Sequence, residues 1–205
     1  MSWAPDYATA SELAAYVRVP DSADEISMTA AVGAASRAVD QACGRQFGLI
    51  DSPAARYYTA RWDRRAELWR VEIDDVQTTA GLVVSLDLDE SGDYGSEVDD
   101  FALRPVNAAA DGRPWTHLAV LTGSTSQPTG REAEVEVVAR FGWSAVPDTV
   151  KAATLLQASR FLVRRDSPYG VAGSPQTGSE LRLLSKVDPD VAVMLRPYQR
   201  QWWAR

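Results

Sequence analysis

Imidazole and thiol chemistry rest on one side chain each in this sequence, His117 and Cys43. One chain therefore cannot build a multi-histidine or cysteine-rich metal centre, and it cannot form an internal disulfide. Cys43 lies in an alanine-rich stretch and reads as a small buried hydrophobe, the common fate of a free cysteine. His117 follows Pro114-Trp115-Thr116 just ahead of an expected strand, and reads as a surface or packing residue in preference to a general base. Acid–base catalysis would then fall to carboxylates. Neither a G-x-G-x-x-G nor a G-x-x-x-x-G-K-[ST] phosphate loop is present, and Gly170-Val171-Ala172-Gly173-Ser174 lacks the lysine such a loop needs. There is no G-x-S-x-G nucleophile elbow. The nearest approach to a metal motif is Asp87-Leu88-Asp89-Glu90-Ser91-Gly92-Asp93. It carries oxygen ligands and a glycine where a calcium loop has them, but places Val98 where that loop needs its bidentate glutamate. A polar hairpin turn is the better reading. The expectation is a protein without catalytic residues, cofactor or metal.

Charge is distributed unevenly along the chain. Of 205 residues, 45% are apolar and 24% charged, which suits one globular domain or a domain with an inserted module. The formal net charge is −7. Residues 1–130 hold 20 acidic and 10 basic side chains, and residues 131–205 hold 8 and 11. Between 74 and 111 Arg104 stands alone against 10 acids. A reader of duplex DNA would show a basic stripe instead. The polarity suggests head-to-tail contact between subunits or a basic end set on an acidic partner; a solvated surface without partner meaning is an equal alternative. No apolar run is long enough to span a membrane, and the N-terminal residues lack signal-peptide features, so synthesis and retention in a cytoplasm are expected.

Two helices are expected first. Thr9-Ala10-Ser11-Glu12 and Ser22-Ala23-Asp24-Glu25 both fit the capping box. The first helix would carry Leu13, Tyr16 and Val17 and stop before Pro20. The second would run from about Ala23 to Phe47, its many small residues permitting close approach of another helix. From Arg56 the period changes to two, and short strands are expected at 56–60, 68–71, 82–88, 101–104, 118–121 and 133–141. In the last, Val135 and Val137 face one way and Glu134, Glu136 and Val138 the other. Pro147 then opens a third helix from about Asp148 to Arg165. Arg160, Arg164 and Arg165 in its last turns complement the helix dipole. Asp188-Pro189-Asp190 caps a short fourth helix to about Leu195. The expected class is α+β: a mainly helical body of about four helices, residues 1–55 and 142–205, with an inserted antiparallel β module, residues 56–141.

Two stretches near the C-terminus suggest contacts. Residues 166–180 are a long segment of loop composition, and such loops tend to be functional. The tail Tyr198-Gln199-Arg200-Gln201-Trp202-Trp203-Ala204-Arg205 mixes tryptophan and arginine, the types enriched at interface hot spots. It either docks into a partner or tucks back on its own core.

The stretch Phe141-Gly142-Trp143-Ser144-Ala145-Val146-Pro147-Asp148-Thr149-Val150-Lys151-Ala152-Ala153 resembles the approach to the third helix in head-to-tail connector (adaptor, or head-completion) proteins of long-tailed phages. Arg164 to Val171, Asp188-Pro189-Asp190-Val191, Leu195-Arg196-Pro197-Tyr198 and the opening Trp3-Ala4-Pro5-Asp6-Tyr7-Ala8-Thr9 are similar to the actinobacteriophage branch. The resemblance covers the helical ends and not the β insertion. It implies a virion neck protein made in the host cytoplasm, forming a homo-oligomeric, commonly dodecameric ring under the portal protein. A stopper or tail-completion protein would meet its far side, and genomic duplex DNA would cross its channel without specific binding. It also implies portal docking by Leu195, Arg196, Pro197, Tyr198, Arg200, Trp202, Trp203 and Arg205. An arm between neighbouring subunits would be formed by Pro168, Tyr169, Gly170, Val171 and Pro175. The alternatives are another neck component, such as a stopper, an acidic DNA mimic that inhibits a host protein, or a carboxylate-based metal enzyme.

Overall fold

The computed structural model describes residues 4–18, 24–166, 171–172, 181–182 and 188–200. The chain divides into two compact units, Met1–Phe47 with Val146–Arg205, and Gly48–Ala145. Four α-helices and two four-stranded antiparallel sheets among the described residues make the fold α+β.

The helical unit begins with α1, Ala10–Val17, started by a complete capping box. Thr9 Oγ1 accepts the Glu12 N–H at 3.2 Å while Glu12 Oε2 accepts the Thr9 N–H at 2.9 Å. Arg18 in the left-handed region closes the helix by donating to the carbonyls of Ala14 and Ala15. Leu13 is fully buried, whereas Tyr16, expected beside it, is 49% exposed. α2 spans Glu25–Cys43, shorter at both ends than the expected 23–47. Asp24 stands at its start without a side-chain cap, and Gly44 at φ 62° ends it by donating to the Asp40 carbonyl at 2.8 Å. Glycine takes this left-handed position without a Cβ penalty, which is why the helix stops before Phe47.

α3, Asp148–Asp166, follows Pro147, whose carbonyl accepts the Lys151 N–H at 3.0 Å. It packs along α2 through small side chains, with Ala35 and Ala158 both fully buried in one core with Leu13, Met28, Ala31 and Val32. Burying a side chain such as Leu13 contributes about 1.5–3 kcal/mol. An ion pair between Lys151 and Glu12 ties α3 to α1. α4, Pro189–Leu195, runs into a 3-10 turn at Arg196–Tyr198. No helix among the described residues is long and apolar enough to cross a membrane.

The β unit carries β1 Ala54–Tyr58, β2 Ala60–Asp63, β3 Leu68–Val76, β4 Val83–Leu86, β5 Ser96–Glu97, β6 Phe101–Arg104, β7 Trp115–Val120 and β8 Val135–Ala139. One sheet has the order β1-β8-β4-β5 and the other β2-β3-β7-β6. The extended segment expected as one strand from Arg56 therefore divides at Thr59 and feeds both sheets. Strand pleating sends alternate residues to one face. Val71, Ile73, Leu118 and Val120 of one sheet share a core with Val84, Leu86, Val135 and Val137 of the other. On β8 the alternation is as expected, except that Glu134, just before the strand, is buried. Its carboxylate accepts from Thr129 N at 2.9 Å, Thr129 Oγ1 at 2.7 Å and Gly130 N at 2.6 Å, bonds that offset its desolvation.

Candidate assembly surfaces

The expected docking segment leaves the end of α4. Asp188 caps the helix, its Oδ1 accepting the Asp190 N–H at 2.7 Å, and its other oxygen pairs with Arg160 of α3. Val191 and Leu195 are buried. Tyr198 sets its ring edge-on to Phe47 at 5.9 Å, and the Arg200 N–H donates to the Cys43 carbonyl at 2.7 Å. The segment is thus laid against its own helical unit as far as Arg200. Among the expected docking residues, Leu195 is buried and Tyr198 half-buried, while Arg196 and Pro197 are exposed beside Gln199. Trp202, Trp203 and Arg205 lie outside the described residues.

Of the expected arm, Val171 forms a short antiparallel ladder, Val171–Ala172 with Leu181–Arg182. Pro168, Tyr169, Gly170 and Pro175 lie outside the described residues.

The seat under the C-terminal segment is a polar network that no local pattern announces. Tyr7 is buried edge-on against Phe47 at 5.6 Å. Its hydroxyl donates to Asp40 and accepts the Phe47 N–H at 2.9 Å, and its own N–H donates to Ser36 Oγ at 3.1 Å. Arg37 pairs with Asp40 at 3.2 Å, lies over the Tyr7 ring and donates to the Pro5 carbonyl. Burial, then the bond to Asp40, pushes the Tyr7 phenol far above its ordinary value. Burial also raises the Asp40 carboxyl, against the opposing pull of Tyr7 and Arg37. Burial pushes Cys43 to about 11, far from a reactive thiolate.

In the β unit, His117 lies inside β7, not ahead of it. Burial, then the charge of Arg70, lowers its imidazole below the ordinary value; Glu72 opposes and Arg104 reinforces. The Asp87 loop is a turn that bonds to itself: Asp87 accepts the Ser91 and Gly92 N–H groups, and Asp89 accepts both the N–H and hydroxyl of Ser91. Among the described residues no group of three or more His, Cys, Asp or Glu side chains is placed to hold a metal ion. Asp99 is pulled down to about 2 by bonds from the Thr125 N–H, the Thr125 hydroxyl and the Ser124 hydroxyl.

The Gly142-Trp143 pair has a structural explanation. Gly142 has φ +114°, and a Cβ there would stand 1.9 Å from the Gly48 carbonyl oxygen. The next residue, Trp143, is buried and donates its indole N–H to Asp75 at 2.9 Å.

No protein-family profile and no curated protein matches the chain. Its fold does have a counterpart among solved structures. A chain from the "neck of empty GTA particle computed with C6 symmetry" superposes with a TM-score of 0.57 at 18% identity, over 100% of this chain and 95% of that one. The described arrangement of helices and inserted sheets is therefore a fold used in a particle neck.

Proposed function

We propose that this chain is a structural neck protein of a phage-type virion: a head-to-tail adaptor that closes into a ring under the portal and encircles the DNA channel. It works by assembly and performs no catalysis. The observation that carries the reading is the full-length likeness to a chain of a gene transfer agent (GTA) neck, with neither chain left largely uncovered. The wording from Phe141 to Ala153, similar to long-tailed phage adaptors, supports it independently. A dodecamer is compatible with a map averaged six-fold, as the neighbour's was. The acidic character also suits a DNA sleeve, because carboxylates repel phosphates and release no counterions on contact.

In this reading the exposed Arg196 and Pro197, with the residues beyond Arg200, meet the portal, while Leu195 and Tyr198 hold their base in position. The tail-completion protein takes the far side, and the 168–175 segment reaches a neighbouring subunit. The test is a truncation that keeps the base. A phage encoding the chain without residues 201–205 should fill heads normally but yield unjoined heads and tails. Normal joining would refute portal docking by the tail, and absence of the intact chain from purified particles would refute the neck assignment itself.

A further inference from the structure

The two outer faces of the β unit differ in electrical character. In the β2-β3-β7-β6 sheet, Arg61 stands opposite Arg70, Glu72 opposite His117, and Arg104 opposite His117. Their neighbours Val71 and Leu118 point into the core, so these five side chains share the outward face. Arg64 and Arg65 extend it at the β2–β3 turn. Against five arginines this region sets Asp63, Glu67 and Glu72; Asp63 accepts the Arg65 and Ala66 N–H groups, and Glu72 pairs with Arg70 at 2.6 Å. In a unit rich in acids this face is the cationic one.

The β1-β8-β4-β5 sheet has the opposite outer face. Tyr57 stands opposite Glu136, Glu136 opposite Ser85, and Ser85 opposite Glu97. Tyr94 packs on Tyr57 at 5.0 Å, and Asp87, Asp89, Glu90 and Asp93 follow on the adjoining turn. On the same face Tyr57 is 54% exposed and Val83 of β4, across from Val138, 41%. Arginines find both partners they favour here, carboxylates to pair with and aromatic rings to lie over. The inner faces of the two sheets share one core, so the complementary outer faces lie on opposite sides of the unit. No chain can join its own two faces; they can meet only between copies, head to tail. Such a contact propagates until rotation closes it into a ring.

Resting on the neck reading above, we propose that the cationic face of one copy, centred on Arg61, Arg70 and Arg104, seats on the acidic aromatic face of the next, centred on Tyr57, Glu97 and Glu136. Two charge-reversed full-length variants test this by sedimentation velocity over a concentration series at low salt. Arg70→Glu with Arg104→Glu reverses the charge at the centre of the cationic face, and Glu97→Arg with Glu136→Arg reverses it at the centre of the acidic face. Each alone should self-associate at least about tenfold more weakly than the parent, since like charges then meet. An equimolar mixture should recover association, because each variant's face again meets its opposite; that recovery also shows both variants folded. Unchanged association of either variant, a mixture no better than its components, or a parent chain monomeric at every concentration would overturn the proposal. So would duplex DNA retained by the parent and lost by the arginine variant with self-association unaltered, which would assign the cationic face to phosphates. These failures would leave the neck assignment standing, since that depends on the chain's presence in particles.

Discussion

Replacing Gly142 by alanine should unsettle the β unit far more than the same change at Gly112. The backbone at φ +114° lies where side chains are rarely accommodated, at a cost of about 1–3 kcal/mol. The new Cβ would also stand 1.9 Å from the Gly48 oxygen, so the two backbones must separate. Separation breaks or stretches two bonds, Gly142 N–H to the Asp75 carbonyl at 2.6 Å and Trp143 N–H to the Gly48 carbonyl at 2.8 Å. At roughly 1 kcal/mol each these bring the total to about 3–5 kcal/mol. For a chain of this length that corresponds to a fall in Tm of roughly 6–20 °C. Gly112→Ala is the control: φ is +63° but no atom lies within 4 Å, so only the backbone cost of about 1–2 kcal/mol applies. Urea and thermal unfolding followed by near-ultraviolet circular dichroism, which senses Trp143, measures both. A Gly142→Ala protein no less stable than Gly112→Ala would refute the close-approach argument.

Tyr7→Phe removes the acceptor of the Phe47 N–H and the donor to Asp40, and should cost about 1–3 kcal/mol in urea unfolding; an unchanged midpoint would contradict the network. Asp99 is held below its unfolded value, so its contribution to stability is present above about pH 4 and is lost as the pH falls toward 2. Its carboxyl carbon should titrate in NMR with a midpoint near 2, and a midpoint near 4 would show that the Ser124 and Thr125 bonds are absent in solution. Cys43, raised to about 11 and buried, should react with a thiol reagent only after unfolding; rapid reaction of the folded chain at neutral pH would disprove its burial.

The parts of the fold legible in advance were those governed by near neighbours. The Thr9–Glu12 box starts α1 because both partners lie within one helical turn. The β8 alternation is visible because the pleat repeats every two residues. The Asp188 cap of α4 is local in the same way. What stayed hidden depends on distant pairing. Nothing near Glu134 in a strand-like pattern says that Thr129 and Gly130 will solvate it, nor does the local sequence place His117 between Glu72 and Arg104. Leu195 and Tyr198 belong to the expected docking set, and nothing near them in the sequence shows that Leu195 is buried or that Tyr198 meets Phe47, which lies far away in the chain. The charge polarity of the β faces was likewise legible only as composition until strand register assigned each arginine a face.

In the proposed role the chain acts by assembling as a ring on the portal. Native mass spectrometry of the purified full-length chain mixed with portal rings tests it most directly. That role predicts one discrete complex in which a closed set of copies, in number matching the portal's symmetry, is added to each portal. A chain that leaves the portal's mass unchanged and remains a monomer would contradict it.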